Sequence, residues 1–157
     1  ANANTAYNGG GVFNTGTLTM EPNSYLKFNS AANGGGVYNT RTLAFDATSI
    51  IANNVATNNG GGVYNNSATT FSINNIIKNN SARNGGGLYN LSNATITATA
   101  QIGGLTIADA NTSTDSGGVY NTGTHTMEPG SHLKFNSAAN GGGVYNTGTL
   151  ADRESVV

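Results

Sequence analysis

The chain has no cysteine and no tryptophan, and only 8% of its 157 residues are charged. Without cysteine it can form neither disulfides nor thiolate metal sites, and thiols give no information on its redox compartment. Its six basic residues are scattered and its net charge is −1, so no cationic patch for nucleic acid is evident. No apolar run approaches the ~20 residues that span a bilayer. We expect no nucleic-acid partner and no membrane insertion in this segment.

Glycine and asparagine are abundant instead, and they recur in a fixed phrase. Gly-Gly-Val-Tyr-Asn or a close variant occurs six times. Its aromatic residue falls at Phe13, Tyr38, Tyr64, Tyr89, Tyr120 and Tyr145, so the spacing is about 25 residues, with one longer interval before Tyr120. Self-similarity at such a period is typical of solenoid proteins.

A longer repeat is superimposed on this one. Residues 14–40 and 121–147 are identical except at Leu18/His125, Asn23/Gly130 and Tyr25/His132. Four units therefore form a super-repeat, as if the chain were a window onto a longer array.

Apolar residues within one unit alternate with period two in short pieces separated by turn residues, which predicts strands. We predict an all-β fold, a right-handed parallel β-helix of about six coils with three short strands each. The array is expected over residues 8–150, with coils starting near 8, 33, 59, 84, 115 and 140. Residues 1–7 would be a lead-in, 151–157 a non-repeat tail, and 91–104 would contain an insertion of about six residues.

Stacking of equivalent residues predicts columns through the core. One column is Val12, Val37, Val63, Leu88, Val119 and Val144, a second is Met20, Phe45, Phe71 and Met127, and a third is Leu26, Ile51, Ile77 and Leu133. An asparagine ladder is expected at Asn29, Asn54, Asn80 and Asn136, where side-chain amides can satisfy buried turns. The glycine runs fit tight corners that enter the core, whereas a phosphate loop would need a following helix.

At Phe28-Asn29-Ser30-Ala31-Ala32-Asn33-Gly34-Gly35-Gly36-Val37-Tyr38-Asn39 the chain resembles the repeats of polymorphic outer-membrane proteins. It is also similar to the wider group of parallel β-helix proteins of microbial surfaces. The resemblance implies a secreted or surface-exposed adhesin with no shared catalytic residue. A third glycine replaces the usual alanine, and no membrane β-barrel follows, so transport and anchoring do not carry over.

Parallel β-helices also include polysaccharide lyases and hydrolases, whose sites need converging carboxylates. Glu21 and Glu128 occupy equivalent turns, Asp46 is expected one coil above Glu21, and Asp109 and Asp115 flank a loop in the irregular unit. We expect all five to serve surface solubility. The chain is therefore predicted not to be an enzyme and to need no cofactor.

The two histidines, His125 and His132, lie in one coil without a third ligand for a metal. No metal site is predicted. His125 falls in an inward column, where an unpaired imidazole is costly, so we expect that coil to be locally open or hydrated.

Two outward arrays are the candidate functional surfaces. The aromatic residues from Phe13 to Tyr145 should face outward beside the inward valines, as a self-supporting stack or as a stripe for sugars or protein partners. Threonines form the other array and resemble the rows of ice-binding proteins: Thr15, Thr17, Thr19, Thr40, Thr42, Thr70, Thr95, Thr97, Thr99, Thr122, Thr124, Thr126, Thr147 and Thr149.

The ends of a β-helix have unpaired strands that invite another strand. Because the last two units nearly duplicate the first two, one end should match the other, and head-to-tail stacking into a filament is expected. The leading prediction is an extracellular or cell-surface structural or adhesive segment with a host protein or glycan as a further partner. Ice binding is the alternative and polysaccharide cleavage a distant third.

Overall fold

The computed structural model describes residues 3–67 and 71–153, and these residues form a parallel β-solenoid of about six coils. The predicted all-β fold class is thus confirmed. Successive coils stack so that strands pair in parallel with their equivalents in the neighbouring coils, with one break in one of the lateral faces. We call the direction towards the carboxyl end "up", and number the coils 1 to 6 from the bottom.

Four lateral faces run the height of the solenoid, and each is named for a residue that marks it. The alanine sheet contains β1 (Thr5–Asn8), β5 (Ser30–Asn33), β9 (Val55–Asn59), β13 (Ser81–Asn84), β17 (Thr112–Asp115) and β21 (Ser137–Asn140). The tyrosine sheet contains β2 (Val12–Asn14), β6 (Val37–Asn39), β10 (Val63–Asn65), β14 (Leu88–Asn90), β18 (Val119–Asn121) and β22 (Val144–Asn146).

The threonine face consists of two separate sheets. They contain β3 (Thr17–Met20) and β7 (Thr42–Phe45) below, and β11 (Phe71–Ile73), β15 (Asn93–Ile96), β19 (Thr124–Met127) and β23 (Thr149–Asp152) above. The lysine sheet contains β4 (Tyr25–Lys27), β8 (Ile50–Ala52), β12 (Ile76–Lys78), β16 (Gln101–Gly103) and β20 (His132–Lys134). A short 3-10 helix, Ile107–Asp109, follows β16.

Each complete coil therefore has four strands, one more than the three predicted. The additional strand is the alanine-sheet segment, which lies between the predicted strands of each unit and whose Ser-Ala-Ala-Asn composition is not typical of strands. In the solenoid it pairs with the same segment of both neighbouring coils, and this lateral pairing outweighs its low intrinsic preference.

Two of the three predicted core columns are confirmed. The valine column stacks in register through the whole tyrosine sheet. The Leu26 column contains one more member than predicted, Ile102. The third column was wrong at Phe71. Phe71 pairs with Ala94, and it is Ile73 that aligns with Ile96 and then Met127. Two extra residues after β10 shift this strand relative to the expected spacing.

The long insertion also lies elsewhere than predicted. The number of residues between Leu88 and Gln101 is the same as in the other coils. The extra residues follow Ile102, which pairs with Ile77. They end before Asn111, which is the next member of the asparagine ladder after Asn80. They include the 3-10 helix rather than residues 91–104. Strand pairing also extends the array beyond 8–150, to Thr5 at the bottom and to Asp152 at the top. Residues 154–157 of the predicted tail lie outside the described residues.

Buried asparagines hold the corners between sheets. The predicted ladder is confirmed and is longer than expected, and its members are Asn4, Asn29, Asn54, Asn80, Asn111 and Asn136. A second buried ladder, Asn14, Asn39, Asn65, Asn90, Asn121 and Asn146, closes each tyrosine strand. Most of these amides also bind backbone groups of a neighbouring coil, as Asn54 and Asn111 do, so the buried corners keep their hydrogen bonds.

The ladder position of Asn80 provides a direct test of this role. Its amide donates to the Ile51 carbonyl, and its oxygen accepts from the Asn54 backbone N–H. Asn80→Ala leaves both groups buried without a partner, so we expect the free energy of unfolding to fall by about 3 kcal/mol, measured by urea denaturation followed by circular dichroism. Asn58→Ala, on the exposed side of β9, should change it by less than about 0.5 kcal/mol. Equal losses in the two variants would contradict a structural role for the ladder.

Candidate functional site

The glycine corner between the alanine and tyrosine sheets gives the solenoid a direction. In coil 2, the backbone N–H groups of Gly34, Gly35, Gly36 and Val37 donate in succession to carbonyls of coil 3 at 2.9–3.1 Å. Coil 3 repeats the pattern towards coil 4 with Gly60 to Val63. In an ordinary strand the N–H groups point alternately to the two sides. Here four in a row point up, and the matching carbonyls point down.

The middle glycine of each corner has no room for a side chain, because a coil lies directly above it. A Cβ on Gly35 would lie 2.6 Å from the carbonyl oxygens of Gly61 and Val55, and one on Gly61 would lie 2.5 Å from that of Gly86. At Gly142, in coil 6, the same Cβ would meet only the Asn136 carbonyl oxygen, at 3.2 Å. The glycine requirement therefore comes mainly from the coil above, with a smaller contribution from a carbonyl of the same coil.

The asparagine ladders share a defined polarity. In both buried ladders the amide nitrogen of the lower asparagine donates to the amide oxygen of the next one up, as from Asn14 to Asn39 at 2.7 Å. A third, half-buried ladder ends the alanine strands, and it runs the other way, from Asn33 down to Asn8. This ladder is interrupted between Asn84 and Asp115, because a carboxylate has no proton to donate to the Asn84 oxygen.

The aromatic array forms a continuous stack on the outer side of the tyrosine sheet. Ring centroids of neighbours in Phe13, Tyr38, Tyr64, Tyr89, Tyr120 and Tyr145 are 4.5–5.3 Å apart, and the ring planes lie within 20° of parallel. Burial in the stack, together with the neighbouring phenols of Tyr38 and Tyr89, raises the pKa of Tyr64 to about 12. The geometry is that of a self-supporting ladder, and whether it also binds a partner stays a prediction.

The threonines divide into two groups in the structure. At the corner after each tyrosine strand, hydroxyls bond carbonyls of the coil below, as Thr40 does to Asn14 and Thr122 to Asn90. Thr17 and Thr42 stack in register on the outer face, as do Thr124 and Thr149. Thr15 and Thr147 belong to the corner, Thr19, Thr95 and Thr126 to the outer face, and Thr97 and Thr99 to a following turn. Thr70 lies outside the described residues.

All three lysines of the chain lie in one column of the lysine sheet, an arrangement that was not predicted from the sequence. Lys27 pairs with Ala52, which pairs with Lys78, and Gly103 pairs with Lys134. The sequence carries a signal for this column, because each lysine directly follows the inward Leu or Ile of the predicted Leu26 column. Asp109, from the insertion, bonds the Lys78 ammonium at 2.8 Å.

The candidate catalytic carboxylates are not brought together. Asp109 pairs with Lys78, whereas Asp115 accepts a hydrogen bond from Asn140. Asp46 accepts from the Thr48 hydroxyl in its own turn, which holds the pKa of Asp46 below its usual value, and Glu128 approaches Arg153. Among residues 3–67 and 71–153 no three His, Asp or Glu side chains form a group that could hold a metal ion.

The histidines occupy opposite sides of their strands. His125 faces the core between Ala94 and Leu150 and is fully buried, as its column predicted, whereas His132 lies on the outer side of β20. The coil is not open at His125, because β19 pairs with both neighbouring strands. Neither ring nitrogen of His125 has a hydrogen-bond partner. Burial removes the imidazole from water, and this desolvation lowers the pKa of His125 from 6.5 to about 4.

These features define a β-solenoid repeat protein with an asparagine-bonded interior. Comparison with protein-family models, curated proteins and solved structures gives no match. The described residues include no helix of the length and apolarity that crossing a bilayer requires.

His125 makes stability depend on pH in a defined window. The unfolded chain takes up a proton near pH 6.5, and the folded one only near pH 4, so the free energy of unfolding should fall by about 3 kcal/mol as pH drops between these values. His125→Leu restores the residue of the matching repeat and should remove this dependence, measured by urea denaturation at intervals from pH 7 to 4. His132→Tyr is the matched control and should keep it. An unchanged slope in His125→Leu would contradict the prediction.

Proposed function

We propose that this chain is a structural segment of an extracellular or cell-surface protein, which stacks end to end and presents its lateral faces for adhesion. The observation that carries the proposal is the polarity of the glycine corner. It gives the top and bottom edges complementary hydrogen-bonding groups. The near identity of residues 14–40 and 121–147 supports the same conclusion, because a copy placed on coil 6 continues columns that the chain already contains.

The expected contact can be written group by group. In coil 6 the upward donors are the N–H groups of Gly141, Gly142, Gly143 and Val144, and in coil 1 the downward acceptors are the carbonyls of residues 8–11. Continuation of the pattern between coils pairs these four donors with these four acceptors. Val144, Val12 and Leu18, which are only half-buried at the two edges, would then become buried, which is favourable.

The side-chain ladders favour the same orientation. A head-to-tail copy lets Asn146 donate upward to Asn14, and Asn8 donate downward to Asn140. A head-to-head pair would instead place the N–H groups of one glycine corner against those of another. Unpaired donors of this kind cost about 1–3 kcal/mol each when buried. Head-to-tail stacking does not close on itself, so the expected product is a filament.

The surface location and the adhesive role rest on the exterior. Few outward side chains are charged, and the stacked aromatic ladder offers a rigid apolar stripe of the kind used in recognition. The motif resemblance to polymorphic outer-membrane proteins is consistent with this proposal.

Gly142→Arg tests the stacking directly. Within its own coil the Cβ makes one tight contact, 3.2 Å to the Asn136 carbonyl oxygen, and the rest of the side chain occupies the space of a coil above. We expect the unmodified chain to form filaments visible by negative-stain electron microscopy, and Gly142→Arg to sediment as a monomer. Added to the unmodified chain, the variant should cap and shorten the filaments.

Ser72→Arg adds the same charge on an exposed lateral position of β11 and should leave filaments intact. Circular dichroism confirms that both variants are folded. Dimers of Gly142→Arg would indicate bottom-to-bottom pairing and overturn the head-to-tail geometry. A monomeric unmodified chain at all concentrations would overturn the proposal of self-assembly.

Ice binding is a second candidate, favoured by the in-register threonines of the outer face. Thr124 and Thr149, and likewise Thr95 and Thr126, stack one coil apart. This gives hydroxyl and methyl groups a grid of ~4.8 Å between coils and ~6.8 Å along a strand. The grid is divided between β7 and β11, which belong to separate sheets.

If this face orders ice, the chain should shape ice crystals and show thermal hysteresis in a nanolitre osmometer. Thr124→Lys, which places a charge in the upper part of the grid, should then abolish most of the hysteresis. Thr57→Lys, on the exposed side of the alanine sheet, should retain it. Hysteresis no greater than that of an ordinary globular protein would eliminate this candidate.

A further inference from the structure

The lysine sheet carries positive charge at regular intervals. Its outer column reads Lys27, Ala52, Lys78, Gly103 and Lys134 from coil 1 to coil 5. A lysine thus alternates with a small residue, and the lysines are two coils apart, ~9.6 Å by the strand spacing. Ala52 is almost completely buried although it points outward, as expected if the lysine stems on either side cover it.

The five strands of this sheet contain no acidic residue. Glu21, Asp46 and Glu128 lie in the turn that precedes the strands, at the opposite edge from the lysine column. A face with one sign of charge along one edge favours a ligand of the other sign.

The structure already shows how a carboxylate binds there. The insertion folds back so that the Asp109 carboxylate meets the Lys78 ammonium at 2.8 Å, with both side chains about one-third exposed. This hydrogen bond holds the pKa of Asp109 below its usual value. Asp109 therefore places a carboxylate of the chain itself beside the middle one of the three lysines.

Aromatic rings accompany the two outer lysines. Phe28 and Phe135 follow Lys27 and Lys134 directly, and both are about half exposed with positive φ of 60° and 56°. A bulky residue in this conformation costs roughly 1–2 kcal/mol, and coils 2 and 3 use Asn53 and Asn79 there instead. Tyr25, over which the Lys27 ammonium lies at 4.0 Å, adds a third exposed ring.

We propose that the lysine sheet is a binding face for an extended anionic polysaccharide, whose carboxylates meet Lys27, Lys78 and Lys134 and whose sugar rings pack on Tyr25, Phe28 and Phe135. Asp109 competes for the middle position. The proposal gives a ligand class to the adhesive part of the proposed function and does not depend on stacking.

A polysaccharide fits this face better than other anions. The described surface has no concave pocket for a small molecule, and the lysines form a straight row, so the ligand must be extended. The spacing of two coils suits a polymer with a carboxylate on every second sugar. Three lysines in a chain of net charge −1 are too few for the dense phosphates of nucleic acid, which is bound by many cationic contacts.

The test measures binding of hyaluronan oligosaccharides, which have a carboxylate on alternate sugars, by isothermal titration calorimetry at low salt. Chitin oligosaccharides, which are neutral, and single-stranded DNA are the comparison ligands. Lys27→Gln, Lys78→Gln and Lys134→Gln should each weaken binding about threefold, the size expected for an exposed ion pair. Asp109→Asn should strengthen it by a similar factor, because Lys78 is released.

Arg41→Gln and Arg83→Gln remove the same charge from other faces and should leave the affinity unchanged. All variants are also measured on the Gly142→Arg background, so that loss of filaments and loss of glycan binding can be told apart. Equal weakening by the arginine variants, tighter binding of DNA than of hyaluronan, or no gain in Asp109→Asn would each overturn the proposal. Absence of hyaluronan binding by the unmodified chain would do so too.

Discussion

The hydrogen bond from one coil to the next is the interaction on which the rest of this structure depends. No coil can bury an apolar face by itself, so each is stable only when its backbone groups are bonded above and below. The corners are the hardest places to satisfy, because the chain turns there while still buried. Asparagine solves this with a side chain that donates and accepts at once: the Asn54 amide nitrogen donates to Asn80, and its oxygen accepts from Asn29. Glycine solves it by leaving room for the carbonyls of the coil above.

This constraint explains which positions vary between repeats. Ser116 takes the place of a corner glycine with positive φ, and its hydroxyl bonds the Val119 carbonyl, so a polar contact offsets some of the strain. Asp115 replaces a ladder asparagine only in the half-buried third ladder, where solvent can reach the carboxylate. The one inward difference between the two near-identical segments, Leu18 against His125, leaves a buried imidazole without partners. Its neighbour below is Ala94, a small residue.

The sequence was sufficient for the fold class and for most columns, because stacking turns equal spacing into contact. It failed where spacing and stacking disagree. Phe71 was assigned to the wrong column because two additional residues before β11 are offset by a turn that is two residues shorter after it. The number of residues from Val63 to Ile76 is therefore the same as in the other coils. The Ser-Ala-Ala-Asn strand was not predicted because it is stabilised by pairing with the equivalent segments of neighbouring coils. The intrinsic strand preference of its residues gives no sign of this pairing. Asn111 was not predicted as a ladder member because the insertion before it changes its spacing from Asn80. The lysine column was not predicted because alternate coils carry alanine or glycine at that position.

The same stacking restricts what the outer faces can recognise. The exposed tyrosines and threonines recur at the coil spacing, and the lysines recur at twice that spacing. A surface of this kind gains most from a ligand that is itself periodic, since each added coil then contributes one more equivalent contact. Another solenoid end, a crystalline lattice and a linear polysaccharide all meet that condition, whereas a small substrate does not. The insertion breaks the period once, at Lys78, and it does so with a carboxylate, the group that an anionic ligand would supply.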